Sequence, residues 1–136
     1  MKQVVISRKF NFSCGVDSPR SKYGTGHNYI AEVHVLGPID PVSGLVVNLP
    51  DLKQVIQHVI NELDHKHLNR DVRFFYKRKV TPALIAEYCY QRISTEFHML
   101  SGYQSLHLLQ VQIMQGDNMW GAYGESKDNP DLKFHL

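Results

Sequence analysis

The chain has 136 residues, 43% hydrophobic and 21% charged, which suits one globular domain with a single core and excludes long disordered stretches. Fifteen Lys and Arg against 13 Asp and Glu leave a net charge of +2, too small for a nucleic-acid footprint, which needs clustered and dominant basic charge. No apolar run is long enough to span a membrane, and Lys2, Arg8 and Lys9 interrupt the first ten residues where a signal peptide would be apolar. Two cysteines, Cys14 and Cys89, have no paired spacing, so a cytoplasmic, reducing location is expected rather than a disulfide scaffold.

Along the chain, Val4, Ile6, Arg8, Phe10 and Phe12 alternate with Val5, Ser7, Lys9 and Asn11, the pattern of a first strand. Residues 14–26 are rich in Gly, Ser, Pro and charge and are expected to be a loop. Tyr29, Ala31, Val33 and Val35 alternate with Ile30, Glu32, His34 and Leu36 in a second strand that ends at Gly37-Pro38. Asp40 to Gly44 reads as a turn, and Leu45 to Leu49 as a short extended run. Leu52, Val55, Ile56, Val59, Ile60 and Leu63 then form one apolar helical face, with Pro50 and Asp51 suited to its first turn. A basic loop, 64–79, precedes a second helix that starts at Thr81-Pro82 and buries Ile85, Tyr88, Cys89 and Ile93. Leu106 to Met114 and Met119 to Tyr123 read as two last strands around Gly116-Asp117-Asn118.

The order β-β-α-α-β-β predicts an α+β domain over 1–126, a four-stranded antiparallel sheet with both helices on one face, and a polar tail over 127–136. Two sheet edges need cover, so a homo-oligomer is expected.

Several ordered landmarks go further. They are Phe10-Asn11-Phe12-Ser13, Gly24-Thr25-Gly26-His27-Asn28-Tyr29, Gly44 to Leu49, Leu63-Asp64-His65-Lys66-His67-Leu68-Asn69, Gly116-Asp117-Asn118 and Tyr123-Gly124-Glu125. Over roughly residues 3–126 the chain resembles the 6-pyruvoyltetrahydropterin and 6-carboxytetrahydropterin synthase family. The resemblance implies a T-fold in which three subunits close a barrel, two barrels stack into a hexamer, and small-molecule sites lie between subunits. It implies zinc held by three histidines, but here Cys14 and Thr25 stand at two of those positions and only His27 is kept. Three protein ligands are the minimum for zinc, so no metal or other cofactor is expected; any zinc would use Cys14 and His27. The position of the family's nucleophile-like cysteine counts back to Pro19, with Ser18 and Ser21 as neighbouring hydroxyls and Cys14 as the nearby thiol. The glutamate that holds the pterin edge is replaced by Gln115, and a second acidic position by Ala83.

Asp64-His65 remains, a pair that the resemblance assigns to proton relay, with the carboxylate orienting the imidazole. Asp64, His65 and Cys14 are thus the candidate catalytic residues, and Gln115, Thr81, Trp120, Tyr123 and Phe12 the candidate substrate contacts. The aromatics suit a flat conjugated ligand, and the basic loop suits a phosphate or carboxylate. Three readings stay open at this point. The first is a repurposed zinc-independent enzyme performing elimination, tautomerisation, dehydration or cyclisation by proton transfer. The second is a pterin synthase acting on dihydroneopterin triphosphate through a rebuilt zinc site, and the third a non-catalytic ligand-binding oligomer.

Overall fold

In the computed structural model, residues 3–44, 49–99 and 105–124 are described. Strands β1 (Gln3–Ser18), β2 (Ser21–Pro38), β3 (His107–Gln115) and β4 (Met119–Gly124) form one sheet in the order β1-β2-β3-β4. Every neighbouring pair is antiparallel. Helices α1 (Leu49–Asn61) and α3 (Pro82–Met99) are joined by a segment holding a one-turn helix, α2 (Leu68–Asp71), and a 3-10 turn, Arg73–Phe75.

Strand alternation decides which face the helices cover. Phe10, Phe12, Tyr29, Ala31, Val33, Val111 and Ile113 are buried, while their neighbours along β1 and β2 are partly open or exposed and the first half of β3, Leu108 to Val111, is buried throughout. Against that face lie Leu52, Ile56, Val59 and Ile60 of α1 and Ile85, Ala86, Cys89 and Ile93 of α3. Each fully buried aliphatic side chain contributes about 1.5–3 kcal/mol. The predicted two-helix, one-face layout is therefore observed.

Local chemistry fixes the helix ends and their spacing. Thr81 Oγ1 accepts from the Leu84 amide at 3.2 Å, capping α3. Gly121 lets that end lie on β4, because a Cβ there would meet the Ala83 nitrogen at 2.4 Å. Glu62, just past α1, accepts from Tyr88 Oη at 2.7 Å and from Arg92 Nε and Nη2 at 3.0 and 2.6 Å. That paired arginine contact ties α1 to α3.

Three expectations change. Residues 14–26 are not a loop: β1 and β2 run on as a long ribbon, with Cys14 and Val16 still buried at alternate positions and the turn only at Pro19-Arg20. Gly15 and Gly24 serve close approach there, since the His67 ring lies 3.2 Å from a Cβ built on Gly15 and 2.8 Å from one on Gly24. The basic stretch 64–79 is not simply a loop, because Leu68 and Phe75 are wholly buried and Asn69 nearly so. Leu49, read as extended, begins α1; residues 45–48, Glu125 and the tail lie outside the described residues.

Candidate functional site

The segment Asp64–Asn69 lies along the outer edge of β1 and grips alternate residues of it. Asp64 Oδ1 accepts from the Ser13 amide at 2.9 Å, and the His65 amide donates to the Ser13 carbonyl at 2.6 Å. The Gly15 amide donates to the Lys66 carbonyl at 2.8 Å. The Asp17 amide donates to Asn69 Oδ1 at 2.8 Å, and His67 Nε2 pairs with Asp17 Oδ1 at 2.9 Å. Asn69 Nδ2 closes the set by donating to the carbonyls of Phe75 and Arg78. Much of the Asp-His-Lys-His-Leu-Asn run is thus a clasp, and His67 belongs to it.

His65 is different. Its backbone sits at φ 62, the left-handed region that costs an L-residue about 1–2 kcal/mol and that glycine usually fills after a helix. Its side chain is 84% exposed, with Nε2 3.5 Å from Asp64 Oδ2. Asp64 is held from below by Ser13, so one carboxylate oxygen is fixed and the other faces the imidazole.

Two clefts meet at this residue. One, of about 500 Å³, is lined by Cys14, His27, Asn28, His65, Lys66 and His67 with Ser13, Gly15 and Gly26, and no carboxylate. The other, of about 530 Å³, is lined by Phe12, Tyr29, Ile30, Asn11, Asp64 and Asp117 with Gly116, and shares Ser13, Asn28 and His65 with the first. Phe12 and Tyr29 stack with centroids 5.3 Å apart. One cleft therefore favours an anion and its neighbour a flat ring beside acceptors.

Cys14 and His27 are direct partners across the β1–β2 ladder and share a face with Thr25. Burial first, and the Asp64 carboxylate second, push the Cys14 thiol up to about 12. It is therefore a thiol rather than a thiolate at neutral pH. Tyr29 is raised too, by burial and then by Cys14. Both nitrogens of His27 are engaged: Nε2 lies 2.8 Å from Thr25 Oγ1 and Nδ1 lies 3.2 Å from Gln115 Nε2. Among the described residues, no group of three or more His, Cys, Asp and Glu is placed to hold a metal ion.

Of the residues singled out in the sequence, Cys14, Asp64, His65, Phe12 and His27 line these clefts, and Gln115 joins them through His27. Thr81, Trp120 and Tyr123 line neither. Thr81 caps α3, Trp120 is 56% exposed on β4, and Tyr123 packs edge-on against Tyr90 of α3 at 5.3 Å. The contribution of Thr25 went unseen as a partner of His27, although its i,i+2 spacing places both on one face.

Residues 5–126 match the sequence model of a family described as 6-pyruvoyl tetrahydropterin synthase. The 6-pyruvoyl tetrahydrobiopterin synthase of Poecilia reticulata is 48% identical over 73 residues, 53% of this chain and 50% of that protein. The Drosophila melanogaster enzyme of the same name is 43% identical over 72 residues, 52% and 43% of the two chains. The chain thus matches about half the length of these curated relatives. The solved Caenorhabditis elegans 6-pyruvoyl tetrahydropterin synthase superposes with a TM-score of 0.77 at 27% identity, over 93% of this chain and 98% of that one. A Plasmodium vivax structure of the same family, at 14% identity and TM-score 0.67, has the same fold over 93% and 99% of the two chains.

Proposed function

The chain belongs to the 6-pyruvoyl tetrahydropterin synthase family, and from that premise we propose that it is a zinc-independent acid–base enzyme of lyase type. Its proton carrier is His65, and its substrate is a small flat molecule bearing an anionic group. One observation carries this reading. His65 keeps an exposed imidazole on a left-handed backbone, beside a fixed carboxylate, at the junction of two clefts. Retained backbone strain of that kind accumulates at functional positions.

The chemistry follows from the side chains present. An imidazole changes charge near neutral pH, so His65 can take a proton from one substrate atom and return it to another. Asp64 orients the ring and stabilises the imidazolium while the proton is held. The stacked pair Phe12 and Tyr29 supports a flat ring, and Lys66 attracts a phosphate or carboxylate in the adjoining cleft. Elimination, tautomerisation, dehydration or cyclisation all run on this proton transfer. Cys14, buried and protonated, serves as packing rather than as a base.

The donor set does not fit zinc. Thr25 is a poor ligand, both His27 nitrogens have partners, and no third nitrogen, sulfur or carboxylate donor among the described residues is grouped with Cys14 and His27. The site is also taken to be completed by neighbouring subunits of a homo-oligomer, trimer or hexamer, since β4 and residues 3–12 of β1 lie at sheet edges. Thr81, Trp120 and Tyr123 would then reach a substrate only across a subunit boundary.

The test uses chelator-treated, untagged protein with dihydroneopterin triphosphate and a set of flat heterocyclic carboxylates in D2O, followed by NMR. Proton exchange or product formation should survive chelation and fall about 10²–10⁴-fold in His65→Ala. Turnover that vanishes on chelation and returns with zinc would establish the pterin synthase reading instead. Turnover indifferent to His65→Ala would remove His65 from the mechanism, and no reaction with any of the set would favour a ligand-binding role.

A further inference from the structure

The net charge of +2, which by itself argues against a nucleic-acid footprint, is an average that the fold distributes unevenly. Asn69, almost wholly buried, holds two turns together at one end of the molecule. Its Oδ1 accepts from the Asp17 amide at 2.8 Å, close to the β1–β2 hairpin tip, and its Nδ2 donates to the carbonyls of Phe75 at 2.9 Å and Arg78 at 2.7 Å. The second turn is closed by the Arg78 amide on the Phe75 carbonyl at 3.1 Å, pinned by the wholly buried Phe75, and bent back at Lys77, φ 58. Residues 17–23 and 69–79 thereby meet. The hairpin tip brings Arg20 and Lys22, the α2 segment Arg70 and Arg73, and the turn Lys77, Arg78 and Lys79. These seven cations face two acids, Asp17 and Asp71, whereas the rest of the chain has eight Lys and Arg against eleven acids. All seven are exposed, and none forms an ion pair among the described residues. Both acids are already engaged by His67, whose Nε2 lies 2.9 Å from Asp17 Oδ1 and whose amide donates to Asp71 Oδ2 at 2.8 Å.

Two exposed rings stand among these cations. Tyr23 is 76% exposed at the hairpin tip and Tyr76 is 62% exposed on the turn. Lys22 Nζ lies 5.8 Å from the centre of the Tyr23 ring, and Lys77 Nζ lies 5.3 Å from that of Tyr76. Each pair is an aromatic surface with an ammonium beside it, the complement of one nucleotide: a base stacks on the ring and its phosphate meets the charge. We propose that this end of the molecule binds single-stranded nucleic acid, with Tyr23 and Tyr76 stacking bases and the surrounding cations holding the phosphate backbone. An acidic peptide would use the cations and leave both rings idle, so the aromatics favour a nucleic acid. Because the Asn69 amide and the buried Phe75 fix both backbones beforehand, little ordering is left to oppose binding. Stacking and phosphate contacts carry no base code, so the surface is expected to be indifferent to sequence. None of the seven cations or the two tyrosines lines the clefts at His65, so the inference goes beyond the acid–base reading and does not depend on it.

The experiment is fluorescence anisotropy of a labelled oligo-uridine of about 12 nucleotides, within the span such surfaces cover, titrated with the full chain at several salt concentrations. Binding should have a Kd of about 1–100 µM near physiological salt and weaken steeply as salt rises. Tyr23→Ala and Tyr76→Ala should each weaken it about tenfold and leave the salt slope unchanged, because stacking releases no counterions. Lys77→Ala and Arg78→Ala should each reduce that slope by about 0.7, the share of one phosphate contact on a single strand. All four side chains are exposed, so the variants should fold, and circular dichroism checks that they do. No binding by about 100 µM protein at about 50 mM salt would overturn the proposal. Binding indifferent to both tyrosines, or equal binding of polyglutamate, would refute base stacking and leave a surface for any polyanion. Equal capture by phosphatidylserine vesicles would assign the surface to a membrane instead.

Discussion

Replacing His65 by Ala and by Gly should reverse the usual order of stability of those two residues. In helices and strands, Ala is the more stable by about 0.5–1 kcal/mol, because glycine has more unfolded-state freedom to lose. At φ 62 the Cβ of any L-residue costs about 1–2 kcal/mol, which glycine escapes. Subtracting the entropy term leaves His65→Gly more stable than His65→Ala by about 0.5–1 kcal/mol. Both variants keep the His65 amide bond to Ser13 and the Asp64 bond to the Ser13 amide. Both lose the exposed imidazole and its 3.5 Å contact with Asp64, so those losses cancel in the comparison. The difference corresponds to roughly 2–5 °C in Tm for a chain of this size. Urea titration with linear extrapolation, at one fixed protein concentration, reads it directly. If Ala equals or exceeds Gly, the backbone at 65 is not strained and the argument that function maintains it collapses. Turnover, by contrast, should be lost equally in the two variants.

Asn69→Ala should cost about 3 kcal/mol or more, because the buried amide serves the Asp17 amide and two carbonyls that would be left without a partner. Asn69→Asp should be comparably damaging, since a carboxylate cannot donate to Phe75 and Arg78; a loss below about 1 kcal/mol in urea titration would contradict the clasp. The Cys14 thiol, raised from 9.0 to about 12, should resist iodoacetamide at about pH 8 in the folded chain and react at an ordinary rate in denaturant. With the folded value raised, the stability it contributes is present below about pH 9 and is lost as pH climbs toward about 12; thermal denaturation across that window should show the decline. Thr25→His would supply a second imidazole on the face shared by Cys14 and His27, and three nitrogen or sulfur ligands are enough for zinc. Elemental analysis and the cobalt-thiolate absorption band should then report about one metal per chain, and should report none for the wild type at this site; failure of both signals in the variant would show that the face is too wide or too deep for a metal.

The alternation from Val4 to Phe12 and from Tyr29 to Val35, the apolar face from Leu52 to Leu63 and the Thr81-Pro82 start determined the elements and which side of each is buried. Those properties are local: a strand repeats every two residues and a helix every 3.6, so they are written in neighbouring letters. The Asp64-His65 contact was legible for the same reason, as two residue types side by side at the end of a helix.

The extension of β1 and β2 through residues 14–26 was hidden. Gly15, Gly24 and Gly26 signal turns in a linear reading, whereas two of them are small because the His67 ring passes over the ribbon. The burial of Asn69, the grip of Asp64–Asn69 on Ser13, Gly15 and Asp17, and the meeting of His27 with Gln115 join positions roughly 50 to 90 apart in the chain. Sequence determined the elements and the chemical types at hand. Tertiary structure alone decided which side chains meet, because hydrogen-bond partners and strained dihedrals are set by distances across the sheet that no local pattern encodes.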